Sequence, residues 1–375
     1  MKIFLISLFS LLAIGFLLAN CSTFGQLPKG EALIKISDSP NYDLKRGQFV
    51  NVQQDRLDKM KEEMDLWKTS KEFFSSNGVE KVPKERLPEV KPDMKAFVEP
   101  SDELKVLWFG HSTFLLNMAG QIILVDPVFS DSASPISFLV KRFQKPVIEL
   151  EELPHVDTIV ISHDHYDHLD MNTVKFFAQK TTNFITPLGV GEHLKSWGIG
   201  AERITELDWW QETQVSEVKF IATPAQHFSG RGLVKQNHTL WASWVIQSES
   251  QNIYFSGDSG YDSHFKDIGE KYGPFDLAFI ENGQYNLRWE AVHLLPEQSA
   301  QAYFDLKAKR YLPVHWGMFE LSLHSWYEPI ERIVALGESQ GINVVAPRFG
   351  EVVKINDDLK TDKWWKSFIP KNVGI

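Results

Sequence analysis

The segment His163-Asp164-His165-Tyr166-Asp167-His168 places four candidate metal ligands within six residues, namely His163, His165, Asp167 and His168. In an extended stretch His163 and His165 would point the same way, because successive side chains of a strand alternate. Asp167 and His168 lie where we expect the chain to turn into a helix that begins near position 171. A strand end followed by a helix start can present two pairs of ligands to two adjacent ions. Imidazole and carboxylate groups without thiolate suit Zn(II), Mn(II) or Fe(II), and the Irving–Williams order favours zinc at equal availability.

Other polar residues close apolar runs that are typical of strands. His227 follows residues 220–224, Asp258 follows 253–257, and His315 follows 311–314. We expect these three side chains to reach a shared rim of a sheet and to complete the metal site. Asp126 closes residues 122–125 in the same way, and we expect it to orient a ligand from behind. Taken singly, each such residue is as often structural as functional.

The hydrophobic pattern predicts alternating strands and helices from about residue 104 onward. Strands are expected at 106–109, 113–118, 121–125, 157–161, 218–222, 240–246, 252–255 and 277–280. Helices are expected at 171–179, 264–272, 296–308 and 326–336. Antiparallel strands interspersed with helices indicate two sheets packed between helix layers. Ahead of them, residues 53–74 show helical periodicity through Leu57, Met60, Met64 and Trp67.

The amino terminus predicts export and a membrane anchor. Residues 3–19 are almost wholly apolar, and Leu18-Ala19-Asn20-Cys21 resembles a bacterial lipobox whose cysteine is lipidated. The alternative is an uncleaved anchor, because about 17 apolar residues just reach spanning length. We therefore expect a signal segment at 1–20, a lipidated and partly helical segment at 21–100, and a catalytic domain at 101–375. Ser22 after the cysteine points to the periplasmic face of the outer membrane.

Composition excludes some partners and some ligands. Cys21 is the single cysteine of 375 residues, so neither an intramolecular disulfide nor a thiolate metal site can form in the body of the chain. The formal net charge is -10 and no Lys/Arg cluster occurs, which argues against nucleic acid as a partner.

Motifs spread over most of the chain resemble the metallo-β-lactamase superfamily. Within it they resemble N-acylphosphatidylethanolamine-hydrolysing phospholipase D and its bacterial relatives. The similarity runs from about residue 47 to about residue 350. The segments that carry it are Phe109-Gly110-His111-Ser112, residues 162–170, Leu207-Asp208-Trp209-Trp210, Pro224-Ala225-Gln226-His227, Gly257-Asp258-Ser259-Gly260-Tyr261, Gly273-Pro274-Phe275-Asp276-Leu277 and His315-Trp316-Gly317. This resemblance implies an α+β fold, a four-layer αβ/βα sandwich with the site at one edge.

The resemblance also implies a ligand set for two zinc ions. The first zinc would be held by His163, His165 and His227, and the second by Asp167, His168 and His315. Asp258 would bridge the two ions together with a hydroxide. His293 matches a histidine near the substrate, and Asp126 and Asp170 are expected behind the ligands.

The resemblance further implies a phosphodiesterase that hydrolyses phospholipids of the N-acylphosphatidylethanolamine type. Two cations make a bound water nucleophilic near neutral pH. Asp258 would position that nucleophile and accept its proton, and His293 would protonate the leaving group. Trp108, Phe138, Phe228 and Trp289 are candidates to line an acyl groove, with core packing the more common role for any one of them. Two alternatives stay open: a hydrolase of a lactone or another ester, since a fold does not determine a substrate, and a metal-binding lipoprotein without turnover.

Overall fold

The computed structural model describes residues 22–73, 75, 79–232, 235–356, 359 and 362–370. The predicted signal segment and the lipidation site at Cys21 lie outside these residues. No helix in the described part of the chain is long and apolar enough to cross a membrane. The amino-terminal elements are a two-stranded ribbon and four short helices: α1 (Glu31–Ser37), β1 (Tyr42–Asp43), β2 (Gln48–Phe49), α2 (Gln54–Glu63), α3 (Leu66–Phe73) and α4 (Met94–Val98).

The first of two large sheets has seven strands in the order β15-β3-β4-β5-β6-β7-β8. Its strands are β3 (Lys105–Gly110), β4 (Thr113–Met118), β5 (Gln121–Val125), β6 (Thr158–Val160), β7 (Asn183–Pro187), β8 (Ile204–Leu207) and β15 (Val352–Lys354). Strands β15 to β5 pair antiparallel, and β5 to β8 pair parallel. Helices α5 (Met171–Ala178) and α6 (Gly191–Ser196) make the crossovers that parallel strands require.

The second sheet has six strands in the order β14-β13-β12-β11-β10-β9. They are β9 (Glu212–Val215), β10 (Val218–Thr223), β11 (Ser243–Gln247), β12 (Asn252–Phe255), β13 (Leu277–Glu281) and β14 (Tyr311–Val314). The helices that follow β12, β13 and β14 are α7 (His264–Tyr272), α8 (Pro296–Asp305) and α9 (Glu328–Gln340). Strand β11 begins three residues later than predicted, because Leu240 and Ala242 donate their amide protons to loops of the other sheet, at Leu188 and Ser162.

The inner faces of the two sheets pack against each other as the main apolar core. Phe114 on β4 stacks on Phe279 of β13, with ring centroids 3.9 Å apart and planes 2° from parallel. A second core lies between the first sheet and its helices and contains Ile159, Val174 and Phe177. Helices α7 to α9 bury Phe265, Ile330 and Ile333 against the second sheet. This order of helix, sheet, sheet and helix confirms the predicted four-layer sandwich.

Both sheets end at a common rim. The parallel strands β5 and β6 in one sheet, and β12, β13 and β14 in the other, direct their carboxyl ends there. Each strand is followed by a residue of interest: Asp126, His163, Asp258 and His315 come one to three positions after a strand, and Glu281 is the last residue of β13. The topology therefore collects residues that are far apart in sequence.

The helix predicted at 53–74 is divided in two. Helix α2 ends at Glu63, and Met64 has extended backbone angles. Asp65 then accepts the amide proton of Lys68 at 2.9 Å, which makes it the cap of α3. The periodicity of the apolar residues continued across the break, so it could not reveal this cap.

The amino-terminal segment packs into the body of the fold through Asn51. This buried amide donates to the His227 carbonyl at 2.7 Å and accepts the His227 amide proton at 3.0 Å. Its oxygen also accepts from the indole of Trp241 at 3.2 Å. A residue of the segment thus holds the backbone of a candidate metal ligand.

Asn51→Ala should lower the free energy of unfolding by about 2 kcal/mol, because buried backbone groups of His227 lose their partner. Urea denaturation of the metal-replete protein measures the change. Asn183→Ala, at an exposed position on β7, is the matched control and should change stability by less than about 0.5 kcal/mol. Equal stability of the two variants would contradict a structural role for Asn51.

Candidate metal centre

The turn that we expected at Asp167 and His168 is present, but it already includes His165, where we expected the chain to be extended. His165 accepts amide protons from His168 at 3.1 Å and from Leu169 at 2.8 Å through its carbonyl. The two imidazoles still meet, with Nε2 of His163 and Nδ1 of His165 2.8 Å apart. They converge because they offer different ring nitrogens, not because their side chains alternate along a strand.

A first group of ligand atoms belongs to His163, His165, His227 and Asp258. These atoms lie within 4.8 Å of one another. Nε2 of His227 lies 3.3 Å from Nδ1 of His165. Asp258 places Oδ2 3.8 Å from Nε2 of His163 and 3.7 Å from Nε2 of His227. Three imidazoles and one carboxylate oxygen therefore surround one point.

A second group lies beside the first and is built around Asp167. Its Oδ2 is 3.4 Å from Nε2 of His168 and 3.2 Å from Nε2 of His315. Asp258 also faces this group, with Oδ1 3.2 Å from Nε2 of His168 and Oδ2 3.3 Å from Nε2 of His315. The structure thus brings all seven predicted ligands together, and Asp258 lies between the two groups.

Hydrogen bonds behind the ligands set which imidazole nitrogen carries a proton. Nδ1 of His168 donates to Asp126 at 2.7 Å, as expected for a residue that orients a ligand. Nδ1 of His163 donates to Ser162 Oγ at 2.9 Å, and Ser162 Oγ donates in turn to Asp126. Nδ1 of His227 donates to the Val292 carbonyl at 3.0 Å. Each bond leaves the lone pair of Nε2 facing the centre, as metal coordination requires.

The residues present fit two cations. The buried atoms Nε2 of His168 and Oδ1 of Asp258 have no hydrogen-bond partner among the described residues. Burial alone lowers the pKa of His315, but the Asp258 carboxylate and its neighbours raise that pKa to about 10. The pKa of His168 is likewise raised well above its usual value by Asp258 and Asp167, against the effect of burial. A site that holds extra protons when no metal is present is a site for positive charge.

Backbone strain accompanies this centre. His111, Asp126 and His315 have left-handed backbone angles, with φ of +53°, +39° and +66°. Residues with side chains adopt this region only at a cost, typically of order 1–3 kcal/mol each, and they concentrate at functional sites. Gly257, after β12 of the second sheet, has φ +55°, and a Cβ there would lie 2.9 Å from Cβ of Ser162, which follows β6 of the first sheet. The glycine before Asp258 therefore permits close contact between the sheets.

Two aspartates of the motif region have structural roles. Asp164 is buried and accepts from the Gly230 amide at 2.7 Å and from Thr239 Oγ1 at 2.9 Å. Asp170, which we predicted behind a metal ligand, caps α5 instead, accepting from the Asn172 amide and from Thr173 Oγ1. Its carboxylate also fixes Ser130 of a neighbouring loop. Helix capping is thus the role that the described contacts give to Asp170.

Sequence reasoning missed two residues at the centre. Nε2 of His111 lies 3.0 Å from Oδ2 of Asp167, close enough to join the second group of ligand atoms. Burial and the neighbouring His315 lower the pKa of His111 to about 3, so its ring is neutral. Glu281 contacts both His293 and His315. Each residue ends or directly follows an apolar strand, the signal that identified the other ligands.

A cavity of about 320 Å³ opens onto the centre. Its polar wall is formed by His165, Asp167, Asp258, Gln284, His293 and His315. Its apolar wall is formed by Met60, Met64, Phe228, Trp289, Val292 and Leu321.

Two of the four predicted groove aromatics, Phe228 and Trp289, line this cavity. The other two do not. Trp108 is fully buried against Trp316 and Phe349, and Phe138 is exposed elsewhere. Aromatic residues of the core and of a groove look alike in a sequence, so only the packing separates them.

Comparisons with known proteins agree with this geometry. The model of the family described as "Beta-lactamase superfamily domain" matches residues 121–316. An uncharacterized protein of Mycobacterium bovis is 40% identical over 88% of this chain and 88% of its own length. The N-acyl-phosphatidylethanolamine-hydrolyzing phospholipase D 1 of Caenorhabditis elegans is 37% identical over 67% of this chain and 75% of its own.

Similarity to a solved structure supports the fold. A metallo hydrolase from Ignicoccus hospitalis superposes with a TM-score of 0.52 at 20% identity, covering 68% of this chain and 99% of that one. The sandwich, the rim cluster of histidines and aspartates and the family match lead to one conclusion. The chain belongs to the metallo-β-lactamase superfamily and is a metal-dependent hydrolase of that fold.

Proposed function

We propose that this hydrolase is a binuclear zinc phosphodiesterase that cleaves N-acylphosphatidylethanolamine-like phospholipids in the manner of a phospholipase D. The observation that carries the proposal is the cavity, because its lining combines candidate metal ligands with apolar side chains. A phospholipid has the same combination, with a charged phosphodiester next to acyl chains. The Caenorhabditis elegans relative, whose name states this activity, supports the same substrate class.

Two zinc ions are the metals that we propose for the centre. His163, His165 and His227 would hold one ion, and Asp167, His168 and His315 the other. When bound, two such ions polarise a phosphoryl oxygen and lower the pKa of a bound water towards about 7. Nitrogen and oxygen ligands without sulfur also accept Mn(II) or Fe(II), and zinc is favoured by intrinsic affinity at equal availability.

Residues of the chain would supply the proton transfers. Asp258 lies between both ligand groups, so its carboxylate is placed to orient the attacking water and accept its proton. His293 lies at the cavity wall, with its ring centroid 5.1 Å from that of His227. From there it would protonate the leaving oxygen of the N-acylethanolamine, and phosphatidic acid would remain.

The amino-terminal segment would contribute to substrate selection. Met60 and Met64 reach the apolar wall from α2 and the residue after it. Flexible thioether side chains suit acyl chains of variable shape. A lactone or small ester would need little of this wall, which is why the phospholipid is the better fit.

The purified full-length chain, loaded with zinc and freed of excess metal, should contain about two ions. His165→Ala removes a ligand of the first group and should lower the content towards one, because metal sites lose affinity when a ligand is lost. Inductively coupled plasma mass spectrometry measures both values. The control is Asp262→Asn, at a partly exposed position. Asp164→Asn would not serve, because Asp164 is buried. A wild-type content near one would contradict the binuclear proposal.

The zinc-loaded chain should convert N-acylphosphatidylethanolamine in mixed micelles to phosphatidic acid and N-acylethanolamine, identified by mass spectrometry. Asp258→Asn should reduce the rate at least about 1000-fold, because the proton acceptor and a shared ligand are lost together. Turnover of a lactone panel with no cleavage of the phospholipid or of bis(p-nitrophenyl) phosphate would favour the ester alternative. If the metal-replete wild type turns over none of these substrates, the only alternative that remains is a metal-binding protein without turnover.

Truncating Met64 to alanine should lower kcat/KM for a long-chain phospholipid about tenfold. That factor corresponds to about 1.4 kcal/mol, within the range for burying an apolar side chain against a ligand. The same variant should cleave bis(p-nitrophenyl) phosphate within about twofold of wild type, since that substrate has no acyl chain. Met64→Leu conserves volume and should retain the long-chain rate. Equal losses on both substrates would show that Met64 acts on the metal centre and not on the acyl chain.

A further inference from the structure

Glu281 is a buried carboxylate that three N–H groups approach. Oε2 is hydrogen-bonded to Nδ1 of His293 at 2.9 Å, and it lies within ion-pair distance of Nδ1 of His315, at 3.1 Å, without the angle of a hydrogen bond. Oε1 accepts the amide proton of Leu294 at 2.7 Å. The Glu281 side chain is fully buried, and both of its described ion-pair partners are histidines.

The backbone of Glu281 is fixed on both sides. Its amide donates to Ser256 Oγ at 2.9 Å, and its carbonyl accepts from Ser299 Oγ at 2.7 Å. The residue ends β13 in parallel register with Val314 of β14, directly before His315. The carboxylate therefore has a set position relative to the metal ligand that follows the neighbouring strand.

Both histidines place the same ring nitrogen, Nδ1, next to this carboxylate. Their rings are stacked, with centroids 5.2 Å apart and planes 17° from parallel. With Nδ1 directed at Glu281, Nε2 of His315 lies 3.2 Å from Oδ2 of Asp167, inside the candidate metal centre. His293 lines the cavity beside it. One carboxylate thus contacts the rings of both a candidate metal ligand and the proposed proton donor.

We infer that Glu281 is a positioning residue shared by the second metal site and His293, and that it holds both imidazoles protonated on Nδ1. This inference rests on the proposed function only for the role of His293 in turnover. A carboxylate has about four lone-pair positions and can accept from all three donors. A glutamine amide has a single acceptor oxygen, and its NH2 group would face at least one N–H. Glu281→Gln, although nearly isosteric, should keep its single acceptor oxygen at the Leu294 amide, whose backbone position is fixed, and turn its NH2 group towards the two histidines.

Three variants of the zinc-loaded full-length chain separate the role of Glu281 at the second metal site from its role at His293. They are Glu281→Gln, His293→Ala and the double variant. The matched control is Glu297→Gln, half-exposed on α8. Zinc affinity is measured by competition with a chelator. Ring tautomers are read from long-range ¹H–¹⁵N spectra of ¹⁵N-histidine protein, in which His293→Ala assigns the His293 signals. kcat and KM are measured on the phospholipid and on bis(p-nitrophenyl) phosphate.

Glu281→Gln should weaken the binding of one zinc ion by about 10–100-fold, the usual effect of removing the partner behind a metal-binding histidine. The Nδ1–H signature of His293 should disappear, and kcat should fall while KM changes less than about twofold. His293→Ala should lower kcat but leave zinc affinity unchanged. The double variant should be no slower than Glu281→Gln, because both substitutions remove the same donor.

Wild-type zinc affinity and wild-type histidine tautomers in Glu281→Gln would overturn the inference, as would losses in kcat that multiply in the double variant. The affinity and tautomer measurements need no substrate. If the wild type cleaves no phosphodiester, the proposed function fails, and these two measurements still decide the role of Glu281.

Discussion

The structure depends on how a buried group of carboxylates is balanced by positive charge. Asp126, Asp167, Asp258 and Glu281 lie close together at the rim of the two sheets, each largely removed from water. Burying an ionised carboxylate costs several kcal/mol unless a partner compensates it, and several like charges raise that cost. The partners here are imidazoles, and the pKa values of His168 and His315 are raised as a result. When no metal is bound, protons on the imidazoles balance the negative charge of the carboxylates. Divalent cations balance that charge better, because each carries two positive charges.

Because burying these carboxylates costs free energy, the centre cannot stabilise the fold around it. The two sheets do so, through inner faces whose aromatic residues are in direct contact, as in the Phe114–Phe279 stack. Hydrogen bonds between the sheets then fix the loops that carry the ligands. The indole of Trp244 on β11 donates to the Ile161 carbonyl just before His163, at 3.1 Å. The His111 amide donates to the carbonyl of Trp316, and the His315 amide donates to the carbonyl of His111. These paired bonds hold His111 and His315 at left-handed backbone angles that neither would adopt alone.

The part of this arrangement that the sequence could predict follows from one local rule. A polar residue directly after an apolar strand marks the end of that strand at the rim, and this rule located Asp126, His227, Asp258 and His315. The sandwich followed from the order of strands and helices. The rule also applies to Glu281, which closes the run 277–280. Glu281 was missed because a glutamate at a strand end is usually exposed to water. Only the structure of the second sheet shows that two histidines contact it.

Other features depend on contacts that no local pattern carries. The break between α2 and α3 is set by a single hydrogen bond of Asp65. Asp170 was expected behind the ligands, but an aspartate one residue before a helix caps it. His165 reaches the first ligand group with Nδ1 in a turn, a geometry that alternation along a strand does not describe. In each case a short-range polar contact decided between arrangements that have the same apolar pattern.

The boundaries of the family match separate two tasks within the chain. Residues 121–316 contain the ligands from His163 to His315, together with Asp258 and His293. Met60, Met64 and Leu321, which form half of the apolar wall, lie outside that range. Asn51, which holds the backbone of His227, also precedes it. The metal centre therefore belongs to the part of the chain that the superfamily shares, whereas the shape of the cavity depends on flanking segments. A substrate that contacts both parts of this lining would depend on the flanks for its binding and on the shared part of the chain for its chemistry.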